Sequence, residues 1–197
     1  ISIIKDMCMN TNKKCQVTAL TGCAALLLDC QAKTLHSWAG IAVVKDDFKY
    51  HLRKIKNRKE KLNNWKTVDV LIIDEISMMS MRLFDLLDFI GRQIRQVDKP
   101  FGGIQLLFSG DFYQLPPVCK NDENPDNGRF CFESENWSTI FPQIHTLTKI
   151  FRQSDPIFTK ILNEIRVGRI KRSSVELLEQ RKITYKKDDN IIPTMVL

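Results

Sequence analysis

Val70-Leu71-Ile72-Ile73-Asp74-Glu75-Ile76-Ser77 places four apolar residues directly before two carboxylates. This unbroken apolar run predicts a strand buried on both faces, because a half-exposed strand would alternate apolar and polar residues. Buried carboxylates without partners are costly. We therefore expect Asp74 and Glu75 at the carboxyl end of a central strand in an open α/β sheet, where ligands bind. One carboxylate there suits Mg²⁺ bound through water, and the next suits orienting or deprotonating the water that attacks a nucleotide. The alternative is a strand that ends in an acidic turn.

Composition narrows the class of protein. The chain has 197 residues, 43% of them apolar, and a net charge of +7, with a pI near 9.1. Length suggests one domain or one with an appendage, and the positive charge favours a polyanionic partner. The six cysteines form no C-x-x-C pair, which argues against zinc, and we expect reduced thiols in a nuclear or cytosolic protein. No apolar run approaches the ~20 residues that span a membrane.

Both ends of the sequence lie within expected elements. Residue 1 is not Met and begins an amphipathic pattern, and the last residues, 191–197, resemble the approach to another strand. We therefore interpret the chain as an internal fragment of a longer protein.

Apolar runs and helical periodicity alternate along the chain. This alternation predicts a parallel sheet covered by helices on both faces. The predicted strands are 15–20, 68–73, 104–108 and 145–147, with a possible short strand at 130–132, and the predicted helices are 1–9, 23–29, 46–66, 80–96 and 156–167.

A second strand end resembles the first. The strand 104–108 runs into the sequence Gly110-Asp111-Phe112-Tyr113-Gln114-Leu115-Pro116-Pro117. A glycine after a buried strand lets the backbone approach a ligand closely, and Gln114 can both donate and accept hydrogen bonds beside a phosphate. The alternative is a turn with a capping glutamine. The predicted Asp-Glu strand end about 35 residues earlier favours the phosphate site.

Two further segments have phosphate-binding chemistry. Arg152, in Phe151-Arg152-Gln153, could clamp a phosphoryl group, although a single arginine is more often a surface residue. Thr21-Gly22 lies between a strand and a helix, where a hydroxyl and free backbone N–H groups suit a phosphate oxygen. Thr21 could equally be an ordinary helix cap.

Residues 34–40 combine stacking and polar side chains. His36 and Trp38 could stack on bases and Ser37 could bind a phosphate, while Trp38 is also a natural core residue. The basic segment from Lys49 to Lys66 is typical of a solvated face that adds electrostatic steering.

The motifs together resemble a known family. In order they are V-T-A-L-T-G-C-A-A (17–25), T-L-H-S-W-A-G (34–40), V-D-V-L-I-I-D-E-I-S-M-M (68–79), F-G-G-I-Q-L-L-F-S-G-D-F-Y-Q-L-P-P-V (101–118) and L-T-K-I-F-R-Q-S-D (147–155). This ordered set resembles the PIF-one branch of the superfamily-one DNA helicases, relatives of RecD, over about residues 1–168. The resemblance implies a RecA-like P-loop NTPase fold, truncated at both ends. Residues 1–170 would form most of the first motor domain, and residues 171–197 the start of the connection to a second.

The resemblance also implies roles for residues. Asp74 would serve Mg²⁺, Glu75 would activate water, Gln114 would contact the γ-phosphate of ATP, and Arg152 would sense phosphate. Single-stranded DNA would contact the segments around Thr21, Gly22, His36, Ser37 and Trp38. Family members move 5′ to 3′ on single-stranded DNA, engage duplex junctions, and serve DNA repair, recombination and telomere maintenance. We expect a monomer without membrane contact, nuclear unless the source is viral or prokaryotic.

One expected motif is absent from the 197 residues. The family's phosphate loop, G-x-x-x-x-G-K-[ST], does not occur in this sequence, although its N–H groups and Lys provide most of the triphosphate's cradle. We therefore expect this polypeptide alone neither to hydrolyse ATP appreciably nor to unwind DNA. A non-catalytic DNA-binding module and a P-loop ATPase that acts on something other than nucleic acid are the alternatives.

Overall fold

A four-stranded parallel sheet forms the centre of the fold. The structure is a computed structural model, and it describes residues 1–28, 30–42, 47–118 and 128–181. The strands β1 (Cys15–Ala19), β2 (Lys33–Thr34), β3 (Val70–Asp74) and β4 (Gln105–Phe108) lie in the order β2-β1-β3-β4. All three strand pairs are parallel, as the alternation of strands and helices predicts. β3 lies between β1 and β4, and the buried Thr18 hydroxyl of β1 donates to the Ile72 carbonyl over 2.9 Å.

Two apolar cores cover the two faces of the sheet. Leu71 and Ile73 of β3 belong to the larger one, called the large core, which also contains Trp38, Trp65 and Phe84. Val70 and Ile72 belong to the other, called the small core, which includes Cys8. Successive residues of a strand point to opposite faces, so four consecutive apolar residues supply both cores. The fold is thus α/β with helices on both faces, as predicted.

Helices surround the sheet and end near its edges. In the first compact unit, Ile1–His145, they are α1 (Ser2–Asn10), α2 (Gly22–Leu27), α3 (Leu35–Ala39), α4 (Phe48–Lys56), α5 (Lys59–Thr67), α6 (Met81–Arg95) and α7 (Trp137–Ile140). The 15-residue α6 is capped by the Ser80 hydroxyl, which accepts from the Leu83 N–H. No helix in the described part of the chain is long and apolar enough to cross a membrane.

The second compact unit comprises Thr146–Leu197. Its described part contains α8 (Pro156–Arg166) and α9 (Arg172–Arg181). Asp155 caps α8, because its carboxylate accepts from the N–H groups of Ile157 and Phe158. The division between these units falls between residues 145 and 146. The domain end at residue 170 stays a prediction from the sequence.

Several sequence predictions are wrong in detail. Residues 145–147 form no strand. Leu147 is 94% exposed, so its side chain has no core to pack against that would stabilise a strand here. Residues 130–132 enter a short 3₁₀ turn, joined to Ser80 only by an isolated bridge. The basic segment 46–66 divides into α4 and α5, which lets both helices bury apolar residues in the large core, and its first residue lies outside the described residues.

The five described cysteines, Cys8, Cys15, Cys23, Cys30 and Cys131, are free thiols. Burial is the main cause that raises the pKa of Cys15 to about 11 and that of Cys131 to about 12. Both thiols therefore stay protonated and unreactive near neutral pH.

Candidate functional site

The carboxyl ends of three strands meet at one edge of the sheet. Ala19 pairs with Asp74, and Ile73 with Phe108. The Leu20 N–H donates to the Asp74 carbonyl over 3.3 Å, which extends this pairing past β1. The segments after the strands, with Thr21, Glu75 and Gly110, therefore lie side by side. In parallel α/β sheets this edge is where ligands bind.

Asp74 and Glu75 are half-buried and differ in backbone conformation. Asp74 is the last residue of β3, whereas Glu75 has φ 58° and ψ 43°, in the left-handed region. That region is uncommon for residues other than glycine and costs of order 1 kcal/mol or more. The left-handed step ends the strand and opens a 3₁₀ turn over Ile76–Met78. The chain thus turns between the two carboxylates, which lets each serve a different role.

Gly110 brings the second predicted cluster against the first. The Ile76 N–H donates to the Ser109 carbonyl over 3.1 Å. A Cβ on Gly110 would lie 2.8 Å from the Ile76 nitrogen and 2.9 Å from its Cγ1. Only a glycine allows this approach of the two backbones. The structure therefore brings together Asp74, Glu75 and the Gly110–Gln114 segment, which were predicted separately.

Gln114 lies on a turn that Asp111 organises. The Gln114 N–H donates to the Asp111 carbonyl over 2.9 Å, and the Tyr113 N–H donates to Asp111 Oδ1 over 3.1 Å. Gln114 Nε2 lies 3.3 Å from Asp111 Oδ2. The Gln114 side chain is otherwise exposed and can reach a ligand at this edge. Asp111 was not singled out from the sequence, although an aspartate that opens a turn is a recognisable signal.

Phe112 packs this turn against a later segment. Its ring lies edge-on to Phe130 and to Phe132, with centroids 5.8 and 4.8 Å away, and also contacts Trp137. Phe130 and Phe132 stack on each other at 5.1 Å. Edge-to-face pairs fix ring orientation as well as burying area. Phe112 therefore positions the Gln114 turn, a role that the sequence could not indicate because its partners are distant along the chain.

Thr21 and Gly22 lie at the same edge. The Thr21 hydroxyl accepts from the Ala24 N–H over 3.1 Å, so Thr21 is the cap of α2 that the sequence offered as an alternative. Gly22 is exposed, and a Cβ there would meet no atom within 4 Å. The surface beside this cap is open, and capping by Thr21 leaves room for a ligand over Gly22.

Helix α3 contains the other residues predicted to bind single-stranded DNA. Ser37 is exposed, and burial lowers the pKa of the half-buried His36 below 6.5. Two hydrogen bonds fix α3 on α5: Asn64 Nδ2 donates to the Trp38 carbonyl and Trp65 Nε1 to the Ala39 carbonyl, both over 3.0 Å.

Trp38 does not fit its predicted stacking role. It is only 2% exposed, and its ring lies 4.9 Å from that of Trp65 in the large core. A base needs a free ring face to stack on, and packing covers this one. Trp38 therefore has the alternative role that the sequence indicated, that of a core residue. Its prediction as a nucleic-acid contact is wrong.

Arg152 belongs to the second unit. Its side chain is exposed, in a segment before α8 that has no helix or strand. Its proposed role as a phosphate sensor therefore remains a prediction from the sequence motif.

The carboxylates at this edge fit a magnesium ion that is shared with a ligand. Among the described residues, no group of three or more His, Cys, Asp or Glu could hold a metal. Mg²⁺, however, keeps several waters and needs only one or two carboxylates when phosphate oxygens complete its shell. Asp74, half-buried at the strand end, meets that requirement.

Comparison with known proteins agrees with this geometry. The family model described as PIF1-like helicase matches residues 2–176. The chain belongs to the PIF1-like helicase family. Its relatives include the ATP-dependent DNA helicase RRM3 of Saccharomyces cerevisiae, 43% identical over 178 residues, which are 90% of this chain and 24% of that protein. The human ATP-dependent DNA helicase PIF1 is 42% identical over 152 residues, 77% of this chain and 23% of that protein.

Solved structures of the PIF1-like family share the fold. The crystal structure of Pif1 helicase from Candida albicans matches with a TM-score of 0.87 at 38% identity, covering 98% of this chain and 42% of that one. Pif1 helicase from Bacteroides, in complex with ADP-AlF3 and single-stranded DNA, matches with a TM-score of 0.74 at 32% identity, over 90% and 42% of the two chains. The fold is therefore RecA-like, and the chain spans about a quarter of the curated relatives quoted above.

Proposed function

We propose that this chain forms part of the motor of an ATP-dependent DNA helicase. One observation carries the proposal: Asp74, Glu75 and the Gly110–Gln114 turn lie together at the carboxyl edge of a parallel sheet, joined by the Ile76–Ser109 hydrogen bond. Relatives named ATP-dependent DNA helicases support it. The edge provides carboxylates for metal and water and an amide for a phosphate, which are the groups that nucleotide hydrolysis needs.

Each residue at the edge has a distinct proposed role. Asp74 holds Mg²⁺ through water, and the ion neutralises phosphate charge when it is bound. Glu75 orients or deprotonates the attacking water. Gln114 contacts the γ-phosphate. When hydrolysis removes this phosphate, Gln114 transmits the change to the Asp111 turn and to Phe112. The family motif supports Arg152 as a phosphate-sensing arginine.

The DNA contacts lie on neighbouring segments. Thr21, Gly22, His36 and Ser37 contact single-stranded DNA. Related solved structures include Bacteroides Pif1 bound to single-stranded DNA and two Pif1 helicases at forked duplex DNA. From the family resemblance we propose 5′-to-3′ translocation with unwinding at duplex junctions, and roles in DNA repair, recombination and telomere maintenance. We also propose a monomeric state and a nuclear location, or a cytoplasmic one if the source is viral or prokaryotic.

Replacement of Glu75 tests the enzyme hypothesis. In the full-length protein, Glu75→Gln should lower ATP turnover by about 10²–10⁴-fold, because the amide cannot accept the proton of the attacking water. Binding of a fluorescent ATP analogue should stay within about twofold, since the side chain keeps its size. Glu135→Gln, at an exposed glutamate, is the matched control and should change neither quantity. Unwinding at the wild-type rate by Glu75→Gln would refute the hypothesis.

A non-catalytic DNA-binding module is the second candidate. The net charge of +7 supports DNA binding without requiring catalysis. This candidate predicts DNA affinity that falls with salt and is equal with and without ATP. DNA-stimulated ATPase activity of the full-length protein would exclude it.

A further inference from the structure

Helices α4 and α5 present a dense positive surface. Residues 48–66 contain eight Lys or Arg and a single acidic residue, Glu60. Helix α4 buries Leu52 and Ile55 in the large core. Beside the buried Leu52, α4 presents Lys49, Arg53 and Lys56, all exposed, at spacings of four and three residues. We call these three residues the basic row.

The basic row is straight and rigidly supported. Residues spaced by three and four lie on one side of a helix, so Lys49 and Lys56 are separated by about 10 Å along its axis. Ile55, between the charged positions, is completely buried, which anchors the helix beneath the row. The backbone positions that carry the three charges are therefore held in a line along the helix.

The charges of the basic row are not neutralised within the described residues. No ion pair joins Lys49, Arg53 or Lys56 to a carboxylate in that part of the chain, and Glu60 pairs with Lys61 at 3.1 Å. Like charges four residues apart destabilise a helix slightly. Arg53 and Lys56 lie in the last turn of α4, where the helix dipole favours positive charge. The row therefore keeps its charge available to an external anion.

The proposed contacts to single-stranded DNA lie on a helix that α5 supports. Helix α5, which packs beside α4, fixes α3 through Asn64 and Trp65. His36 and Ser37 lie on α3. Two more exposed cations, Arg58 and Lys59, follow the basic row where α5 begins. Positive charge therefore continues from the row towards the helix that supports the single-strand site.

We propose that the basic row binds the phosphate backbone of duplex DNA that flanks the single strand. This rests on the proposed function. The half-buried ring of Tyr50 neighbours the row on α4, and Lys54 Nζ lies over it, 4.5 Å from its centroid. This ring is therefore not a free platform on which an unpaired base could stack, which favours a duplex over a single strand. Lysine and arginine that contact phosphates alone bind without regard to sequence.

The test compares two triple variants of the full-length protein. Lys49→Gln/Arg53→Gln/Lys56→Gln removes the basic row. Lys13→Gln/Lys99→Gln/Arg169→Gln removes equal charge from three exposed cations that lie outside α4 and α5. Affinity is measured by fluorescence anisotropy over a range of salt concentrations, with a blunt duplex and with a single strand. Circular dichroism checks the fold of each variant.

Loss of the basic row should weaken duplex binding roughly tenfold or more at 0.1 M salt, and should flatten its salt slope by up to about 2.7, or 0.9 for each charge. Single-strand affinity and single-strand-stimulated ATPase should stay within about twofold of wild type. The control variant should retain the wild-type slope for duplex. Equal slopes in the two variants would overturn the proposal, and so would an equal loss for duplex and single strand. A wild-type protein without DNA-stimulated ATPase would instead refute the proposed function.

Discussion

The two faces of the sheet are covered very unequally. Among the described residues the large core contains 21 buried residues and the small core five. Leu71 and Ile73 point into the first, and Val70 and Ile72 into the second. Helix α1 contributes Cys8 to the small core, yet its Ile3 and Met7 stay 75% and 61% exposed. Apolar burial drives folding in proportion to area, so the large core supplies most of the stability.

This inequality also explains how the site is supported. The α3 helix, the Ile76 turn and the segment around Cys131 all contribute to the large core. Cys131 is completely buried, and the Cys131 N–H donates to the Met79 carbonyl over 3.1 Å. The segments after the strands are thus anchored mainly from one side of the sheet. Three measurements test whether the large core supplies most of this support.

The largest effect should come from two adjacent isoleucines. Ile72 and Ile73 are both at most 1% exposed but face different cores. Ile73→Ala should cost about 4–5 kcal/mol of unfolding free energy and Ile72→Ala about 2–3, because a cavity costs most where its surroundings cannot collapse. Urea denaturation of each purified variant measures the difference.

The matched pair also contains its own control. Ile72→Val and Ile73→Val remove one methylene each and should cost about 1 kcal/mol at both positions. An equal loss of unfolding free energy in the two alanine variants would show that the two cores are equally rigid. That result would contradict the larger contribution assigned to the large core.

A smaller effect is expected for Trp65. Trp65→Phe keeps an aromatic ring but removes the indole N–H that donates to the Ala39 carbonyl. A buried carbonyl left without its donor costs about 1–3 kcal/mol. Trp38→Phe removes the same ring system without that hydrogen bond and serves as the control. The melting temperature of Trp65→Phe should be lower than that of Trp38→Phe. The reverse order would show that the Trp65–Ala39 hydrogen bond does not anchor α3.

The smallest effect should be the pH dependence due to His36. Burial lowers its pKa below 6.5, so the folded state disfavours the protonated ring. Its contribution to stability is present above pH 6.5 and is lost as pH falls through the lower folded value. His36→Gln should therefore lose less stability than wild type between about pH 7 and 5. Identical pH profiles in urea denaturation would show that the ring is solvated.

The sequence predicted the elements with strong local patterns. The unbroken apolar run of β3 and the i, i+3, i+4 periodicity of α6 were sufficient for both, because each pattern matches one secondary structure. The break between α4 and α5 was missed, since no proline or glycine marks it. The strand at 145–147 was wrong because a short apolar run forms a strand only where a partner and a core are available.

The parallel α/β class, the PIF1-like helicase family and the place of Asp74 and Glu75 at a strand end follow from the sequence, because buried parallel strands and ordered motifs are local patterns. Three contacts become visible only in the folded chain: Gly110 lies against Ile76, Phe112 packs the Gln114 turn against Phe132, and Trp38 is buried against Trp65. These contacts join residues distant along the chain, and strand register and core packing set them. No local pattern can encode them.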